Sequence, residues 1–259
     1  MSTLYYDLHI HSCLSPCGDE DMTPGNICGM ARLCGLGIVA LTDHNTARNT
    51  RVFCERAAEM GLIGIPGMEL TTREEAHVVC LFPDPGRAER FSAYVEGRLP
   101  GKANLPEIFG PQILIGDNDE PCGESPFLLT NAADIGIYDT AALVGRYGGF
   151  CFPAHIDRES LSLLSSLGMW DDGMGFGLCE YSRPPEGTHP IDAAYKGNLP
   201  SAARPLGAAA PIPYLADSDA HRLADIMDGR FQLSVPEPTA AAVLDTLRRL
   251  AAGGFPGHS

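Results

Sequence analysis

Short apolar runs recur along the chain at 37–42 (GIVALT), 62–70 (LIGIPGMEL), 76–82 (AHVVCLF), 149–155 (GFCFPAH), 176–182 (FGLCEYS), 212–219 (IPYLADSD) and 230–235 (RFQLSV), and the opening run 5–10 makes an eighth. They are apolar on both faces, as buried strands of a parallel sheet are. Between them the spacing predicts helices over 23–35, 46–60, 138–147, 158–167 and 238–252, the first announced by Thr23 before Pro24. Strand and helix in alternation predict an α/β fold with a parallel sheet, open or closed into a barrel. Residues 84–137 break the rhythm and read as an insertion within a single domain spanning 1–259, with a hairpin near 112–124 that turns at Asn118 and Asp119.

The polar residues that interrupt this pattern are of one kind. His9, His11, His44, His77, His155 and His221 lie at or beside predicted strands, and acids stand close to most of them: Asp7, Asp43, Glu74, Glu75, Asp157 and Asp219. In parallel α/β folds the carboxyl ends of the strands open onto one face, where the site is built. His9 and His11 share a face because strand side chains alternate with period two. Taken singly, each feature has a plain alternative. An HxH pair can be exposed, and Asp43 or Asn45 in LTDHN can cap a helix. Glu69, however, is a charge within an apolar strand and needs a partner. Imidazoles and carboxylates gathered on one rim repel when protonated and lack partners when neutral, and a metal ion answers both problems.

Composition narrows the field. No apolar run reaches the roughly 20 residues that span a bilayer, and no signal peptide is visible, so a soluble cytoplasmic protein without a membrane partner is expected. Lys and Arg number 18 against 33 Asp and Glu, a net charge of -15. That balance argues against duplex nucleic acid, where affinity rests on neutralising phosphates. The nine cysteines are irregularly spaced without a CxxC pair and are expected to be reduced thiols. Neither a GxSxG elbow nor a GxxxxGK[ST] loop is present.

DLHIHS, LTDHN, GMEL, HVVCLF, PAHIDR and DSDAH, in this order, resemble the PHP (polymerase and histidinol phosphatase) superfamily. The resemblance covers 5–82 and 149–221 and leaves the insertion out. It implies a distorted (β/α)7 barrel that binds two or three divalent metals (Zn, Fe or Mn) and hydrolyses phosphoesters with a hydroxide shared between them. By the family pattern His9, His11, Glu69 and Asp219 would hold one metal. Glu69 would bridge to a second, completed by His77 and His155. His44 and His221 would hold a third, together with a residue of the loop SPCGDED. That loop departs from the family's usual form, and Cys17, Asp19 or Asp21 could complete the site; a thiolate at Cys17 would favour zinc or iron over magnesium.

The catalytic candidates are Glu69, Asp43 or His221 as a proton donor, and Arg158 as a bidentate phosphate grip, with Arg183 behind it. Asp7 and Glu180 would orient ligands. The small single domain and acidic charge lead to an expected small phosphorylated substrate such as a nucleotide, a sugar phosphate or an amino-alcohol phosphate. Two other readings stay open: hydrolysis at carbon of amidohydrolase type, which usually employs a bridging lysine, and a non-catalytic metal-binding regulatory module. Lys102 and Lys196 are the only lysines. Oligomeric state is left open.

Overall fold

The computed structural model of the chain describes residues 1–197 and 201–253. The C-terminal stretch with His258, for which no site role is expected, lies outside the described residues. Strands β1 (Ser2–Asp7), β2 (Ile38–Leu41), β3 (Ile63–Thr71) and β4 (His77–Leu81) are followed by the hairpin strands β5 (Ile113–Ile115) and β6 (Pro121–Glu124). Then come β7 (Phe150–Pro153), β8 (Cys179–Glu180), β9 (Ala202–Ala203), β10 (Ile212–Leu215) and β11 (Gln232–Val235). Helices α1 (Pro24–Leu33), α2 (Thr50–Glu59), α3 (Pro85–Glu96), α4 (Pro106–Phe109), α5 (Ile137–Arg146), α6 (Leu163–Leu167) and α7 (Ala240–Ala251) are distributed among them.

Six strands form one sheet in the order β11-β1-β2-β3-β4-β7, and three form a second in the order β8-β10-β9. The expected all-parallel sheet is corrected here. Pairs β1–β2, β2–β3 and β8–β10 are parallel, whereas β1–β11, β3–β4, β4–β7 and β9–β10 are antiparallel. The cause for β3–β4 is the connection: residues 72–76 are too few for a crossover, so the strands fold back as a hairpin with Thr71 opposite His77. The two sheets meet through single contacts. Ile156 donates its N–H to the Glu180 carbonyl, and Ile10 bridges Ala220. The sheet thus curls into a half-barrel of a mixed α/β fold, and a fully hydrogen-bonded seven-fold barrel is not what the ladders form.

The core follows from these surfaces. Tyr6, Leu8, Ile38, Ala40, Ile65 and Val79 pack with Val243, Leu244 and Leu247 of α7. Ile10, Val39 and Leu41 pack against Ile27 and Ala31 of α1 and Phe53 and Ala57 of α2. Helix α3 within 84–137 was not expected, although its start is plain in the sequence. Asp84 accepts from the Arg87 N–H as N-cap, and Pro85 occupies the first turn.

The hairpin β5–β6 turns through Asn118 and Asp119, both with positive φ. Asp119 reaches across to α1, accepting from the Thr23 hydroxyl at 2.6 Å and the Gly25 N–H at 2.8 Å. A carboxylate there also complements the positive end of the helix.

Candidate metal centre

The rim is assembled from strand ends, with one adjustment to the parallel-sheet rule. His9 and His11 follow β1, His44 follows β2, and Asp219 and His221 follow β10. His77 instead begins β4. Because β4 runs antiparallel to β3, its amino end lies on the same rim as the carboxyl end of β3. Strand β7 turns again, so that His155 after its carboxyl end returns to that rim. Two of these residues are held in left-handed backbone, His155 at φ 29° and Asp219 at φ 50°. Non-glycine residues pay for that conformation, and it persists where the surroundings over-determine it.

Glu69, in the middle of the assembly and buried, is ringed by imidazoles. Its Oε1 lies 2.8 Å from His77 Nδ1, 3.0 Å from His155 Nε2 and 3.4 Å from His9 Nε2. Its Oε2 lies 2.9 Å from His44 Nδ1 and 3.4 Å from His11 Nε2. Asp219 Oδ1 lies 3.1 Å from His11 Nε2 and 3.3 Å from His9 Nε2. Among the described residues three groups have ligand atoms close enough together to hold an ion: His9, His11 and Asp219; His44, Glu69 and His77; and His11, His44 and His221. The first contains three of the four residues expected to share an ion, with Glu69 3.4 Å from both His9 and His11. In the second, His44 stands with Glu69 and His77, and His155 approaches through Glu69 Oε1.

The hydrogen bonds behind the rings fix their protons. His9 Nδ1 meets Glu180 Oε2 at 2.9 Å. A carboxylate accepts, so Nδ1 carries hydrogen and Nε2 presents a lone pair. His11 Nδ1 meets Ser15 Oγ at 2.9 Å, and that hydroxyl gives its own proton to Asp43 Oδ1 at 2.7 Å. It must therefore accept from His11, whose Nε2 is again a lone pair. The two Nε2 atoms are 3.2 Å apart. Two lone pairs at that distance repel unless a cation, proton or metal, lies between them. His221 Nδ1 likewise donates to the Asp219 carbonyl at 2.8 Å, turning Nε2 outward for another partner.

The titration behaviour favours a proton between His9 and His11. Burial lowers His9, but Glu180, Asp219 and Glu69 outweigh it and push the ring well above its ordinary value. His44 is likewise opposed by burial yet raised to about 10 by Glu69 and Cys17. His11 moves the other way, well below its ordinary value, through burial and the neighbouring His221 and His44. Burial raises Glu69, and the charges of His77, His9 and His44 reverse this and hold it well below the carboxylate range. Asp219 is lowered in the same manner by His9 and His11. Buried His44 Nδ1, His77 Nδ1, His155 Nδ1 and Asp219 Oδ1 have no aligned hydrogen-bond partner, at a cost of about 1–3 kcal/mol for each such group. With the protons of His9 and His44 displaced, the imidazole nitrogens and ionised carboxylates of this cluster fit divalent cations.

The remaining candidates are sorted by their contacts. Burial raises the Cys17 thiol, but hydrogen bonds with His221 and His44 bring it down to about 7, which places it at the His44–His221 group. Asp19 turns instead to Arg222 at 3.6 Å, and Asp21 is exposed at the start of α1. Arg158 stands at the open side with Nη1 2.6 Å from Asp219 Oδ2 and Nε donating to the Ser182 hydroxyl at 3.2 Å. Asp157 accepts from the backbone N–H groups of Ser182 and Arg183. Asp43 is corrected as a proton donor: both its oxygens are taken by the Ser12 N–H, the Ser12 hydroxyl and the Ser15 hydroxyl. It positions His11 through Ser15. Asp7 accepts from Ser218 and Met227 N–H groups and steadies the Asp219 loop. Neither lysine belongs to the centre, so the bridging lysine of an amidohydrolase-type site has no counterpart among the described residues. Sequence reading missed Ser12 and Ser15, and also Asp217, which accepts the Leu8 N–H at 2.7 Å. The DSDAH stretch carried the signal for Asp217, and the two serines had none.

No family model and no curated protein matches the sequence. Solved structures do resemble it. The lesion-specific Endonuclease Q of Pyrococcus furiosus is 18% identical over 98% of this chain with a TM-score of 0.63. Endonuclease Q bound to a 27-mer duplex with an abasic lesion at its active site gives 18% and 0.64. This chain spans 57% and 58% of those chains. A Bifidobacterium adolescentis protein assigned as a metal-dependent phosphoesterase is 17% identical, with a TM-score of 0.51 and 96% of each chain covered. These likenesses show a shared fold along nearly the whole of this chain. They overturn two expectations: the small phosphorylated substrate and the exclusion of duplex nucleic acid. Both had leaned on net charge, which is a sum over the whole chain and says nothing about the surface beside a site. No helix among the described residues is long and apolar enough to cross a membrane.

Proposed function

We propose that the chain is a metal-dependent hydrolase that cleaves a phosphodiester of nucleic acid. The observation that carries the metal dependence is the 3.2 Å approach of the His9 and His11 Nε2 atoms beside Glu69 and Asp219, a gap that a proton on His9 fills and a divalent cation can take over. Support for the substrate class comes from the fold shared with endonucleases over nearly the full chain. His9, His11, Glu69 and Asp219 would hold one ion; Glu69, His44, His77 and His155 a second; and Cys17, His44 and His221 a third. Ions so held supply Lewis-acid polarisation of the phosphoryl group and an activated water.

The chain's own residues do the rest. Glu180 and Ser15 lock the tautomers of His9 and His11. Arg158, with a side chain 44% exposed, can neutralise a non-bridging phosphate oxygen from the open side. The leaving oxygen needs a proton. His221 reaches solvent, and although burial lowers it, Cys17 and Asp219 raise it. It is the candidate for that proton where its Nε2 is not committed to a cation.

The test is strand cleavage of end-labelled duplexes, one intact and one with a single abasic site, by protein loaded with zinc or manganese. Metal-dependent cleavage that vanishes in Glu69→Gln is expected. Protein with metal bound that leaves single strands and both duplexes intact would refute the reading.

A further inference from the structure

Segment 103–131 carries Glu107, Asp117, Asp119, Glu120 and Glu124 and no Arg or Lys, so it offers phosphates nothing. It does offer rings. Phe109 and Phe127, 44% and 41% exposed, are the only exposed phenylalanines among the described residues. The backbone stretches that carry them are anchored at Gly110 and Leu129 to the neighbours of Cys17 and His44.

Phe109 precedes Gly110, whose φ of +93° and contact with the Pro16 carbonyl leave no room for a side chain; a Cβ there would sit 2.5 Å from that oxygen. Pro16 adjoins Cys17. Phe127 is two residues from Leu129, whose carbonyl accepts from Asn45 Nδ2 at 2.6 Å, and Asn45 adjoins His44. One fully buried side chain joins the two ring-bearing stretches. Gln112 Nε2 donates to the Ser125 and Phe127 carbonyls, and its Oε1 accepts from the Leu129 N–H.

We infer that Phe109 and Phe127 form a stacking platform for an unpaired nucleobase next to the phosphodiester at the metal centre. The inference rests on the proposed function and names how the substrate is gripped. An acidic surface cannot gain affinity from phosphate neutralisation. Stacking on aromatic faces needs no positive charge and tolerates any base, at about 1–3 kcal/mol per base. The anchoring of both stretches beside the metal centre sets the occupant, a nucleotide adjoining the scissile phosphate.

The experiment pairs equilibrium binding with cleavage. Fluorescence anisotropy of a labelled single-stranded oligonucleotide is measured for wild type, Phe109→Ala, Phe127→Ala, the double variant and Phe109→Tyr. Each alanine variant should weaken binding by about tenfold or more, Phe109→Tyr should retain it, and the divalent-metal content should stay unchanged in all. An oligonucleotide with abasic linkers in place of its bases should bind the wild type as weakly as the double variant binds the natural strand. Wild type and double variant binding the natural strand equally would overturn the platform. So would alanine variants that lose metal as well as affinity, since the phenylalanines would then only support the rim. Binding that depends on the rings without any cleavage would refute the proposed hydrolysis and leave the platform standing.

Discussion

Replacing Ser15 by alanine removes one buried oxygen with three partners: it donates to Asp43 Oδ1 at 2.7 Å, and accepts from His11 Nδ1 at 2.9 Å and the His44 N–H at 3.2 Å. Two buried donors lose their acceptor, each at about 1–3 kcal/mol, so Ser15→Ala should cost about 2–6 kcal/mol of stability. The more telling loss is in metal binding. Without Ser15, nothing on the far side of His11 dictates which nitrogen is protonated, and changes behind a metal-binding histidine typically cost 10–100-fold in affinity, or about 1.4–2.7 kcal/mol. The control is Ser12→Ala. Its hydroxyl also donates to Asp43, at 2.6 Å, and accepts from Leu14 N–H and Asn49 Nδ2, but touches no histidine. Thermal unfolding and competitive titration with a chromophoric zinc chelator separate the two. Both variants should melt lower, and only Ser15→Ala should bind zinc 10–100-fold more weakly. Equal loss of affinity in both, or loss in neither, refutes the tautomer argument and with it the reading of the facing His9 and His11 nitrogens.

Other outcomes follow from the same geometry. Glu69→Gln should abolish turnover while circular dichroism shows the fold retained, and a wild-type rate in that variant would end the case for a bridging carboxylate. Metal binding must expel protons from His9 and from His44, raised to about 10. Apparent affinity should therefore climb as pH rises through neutrality, by roughly tenfold per unit for each proton displaced; a titration flat between acidic and alkaline buffers would contradict this. Cys17→Ser removes the soft donor beside His44 and His221 and should lower the zinc retained on dialysis more than the manganese. Elemental analysis showing unchanged zinc would place the thiol outside the centre.

Much of the centre was legible because its chemistry is local in sequence. HxH obeys the strand period, Glu69 is conspicuous within an apolar run, and DSDAH repeats acid before histidine. What stayed hidden was set by contacts distant along the chain. Asp43 read as a candidate acid because nothing near it announced Ser12 and Ser15, 31 and 28 residues away, as its partners. The direction of β4 was lost for a different reason: a strand buried on both faces shows the same pattern parallel or antiparallel, and only the five-residue connection carried the answer. Strand ends were overdrawn as well. The run 176–182 forms only β8, Cys179–Glu180, which pairs with Tyr214 and Leu215 of β10 while the Glu180 side chain turns to His9. Helix α3 was missed although Asp84 and Pro85 marked its start, because the surrounding residues read as an interruption of the strand rhythm.

Asp119, at the tip of the hairpin, has a consequence for engineering. It joins Thr23 and Gly25 from ninety-odd positions away, so the segment is pinned at its tip as well as at its roots. It cannot be exchanged as a cassette by splicing at its two ends. A graft from another protein would also have to bring a carboxylate to the start of α1, or the Thr23 hydroxyl and the Gly25 N–H would lose that acceptor, leaving only the cap that Thr23 itself provides.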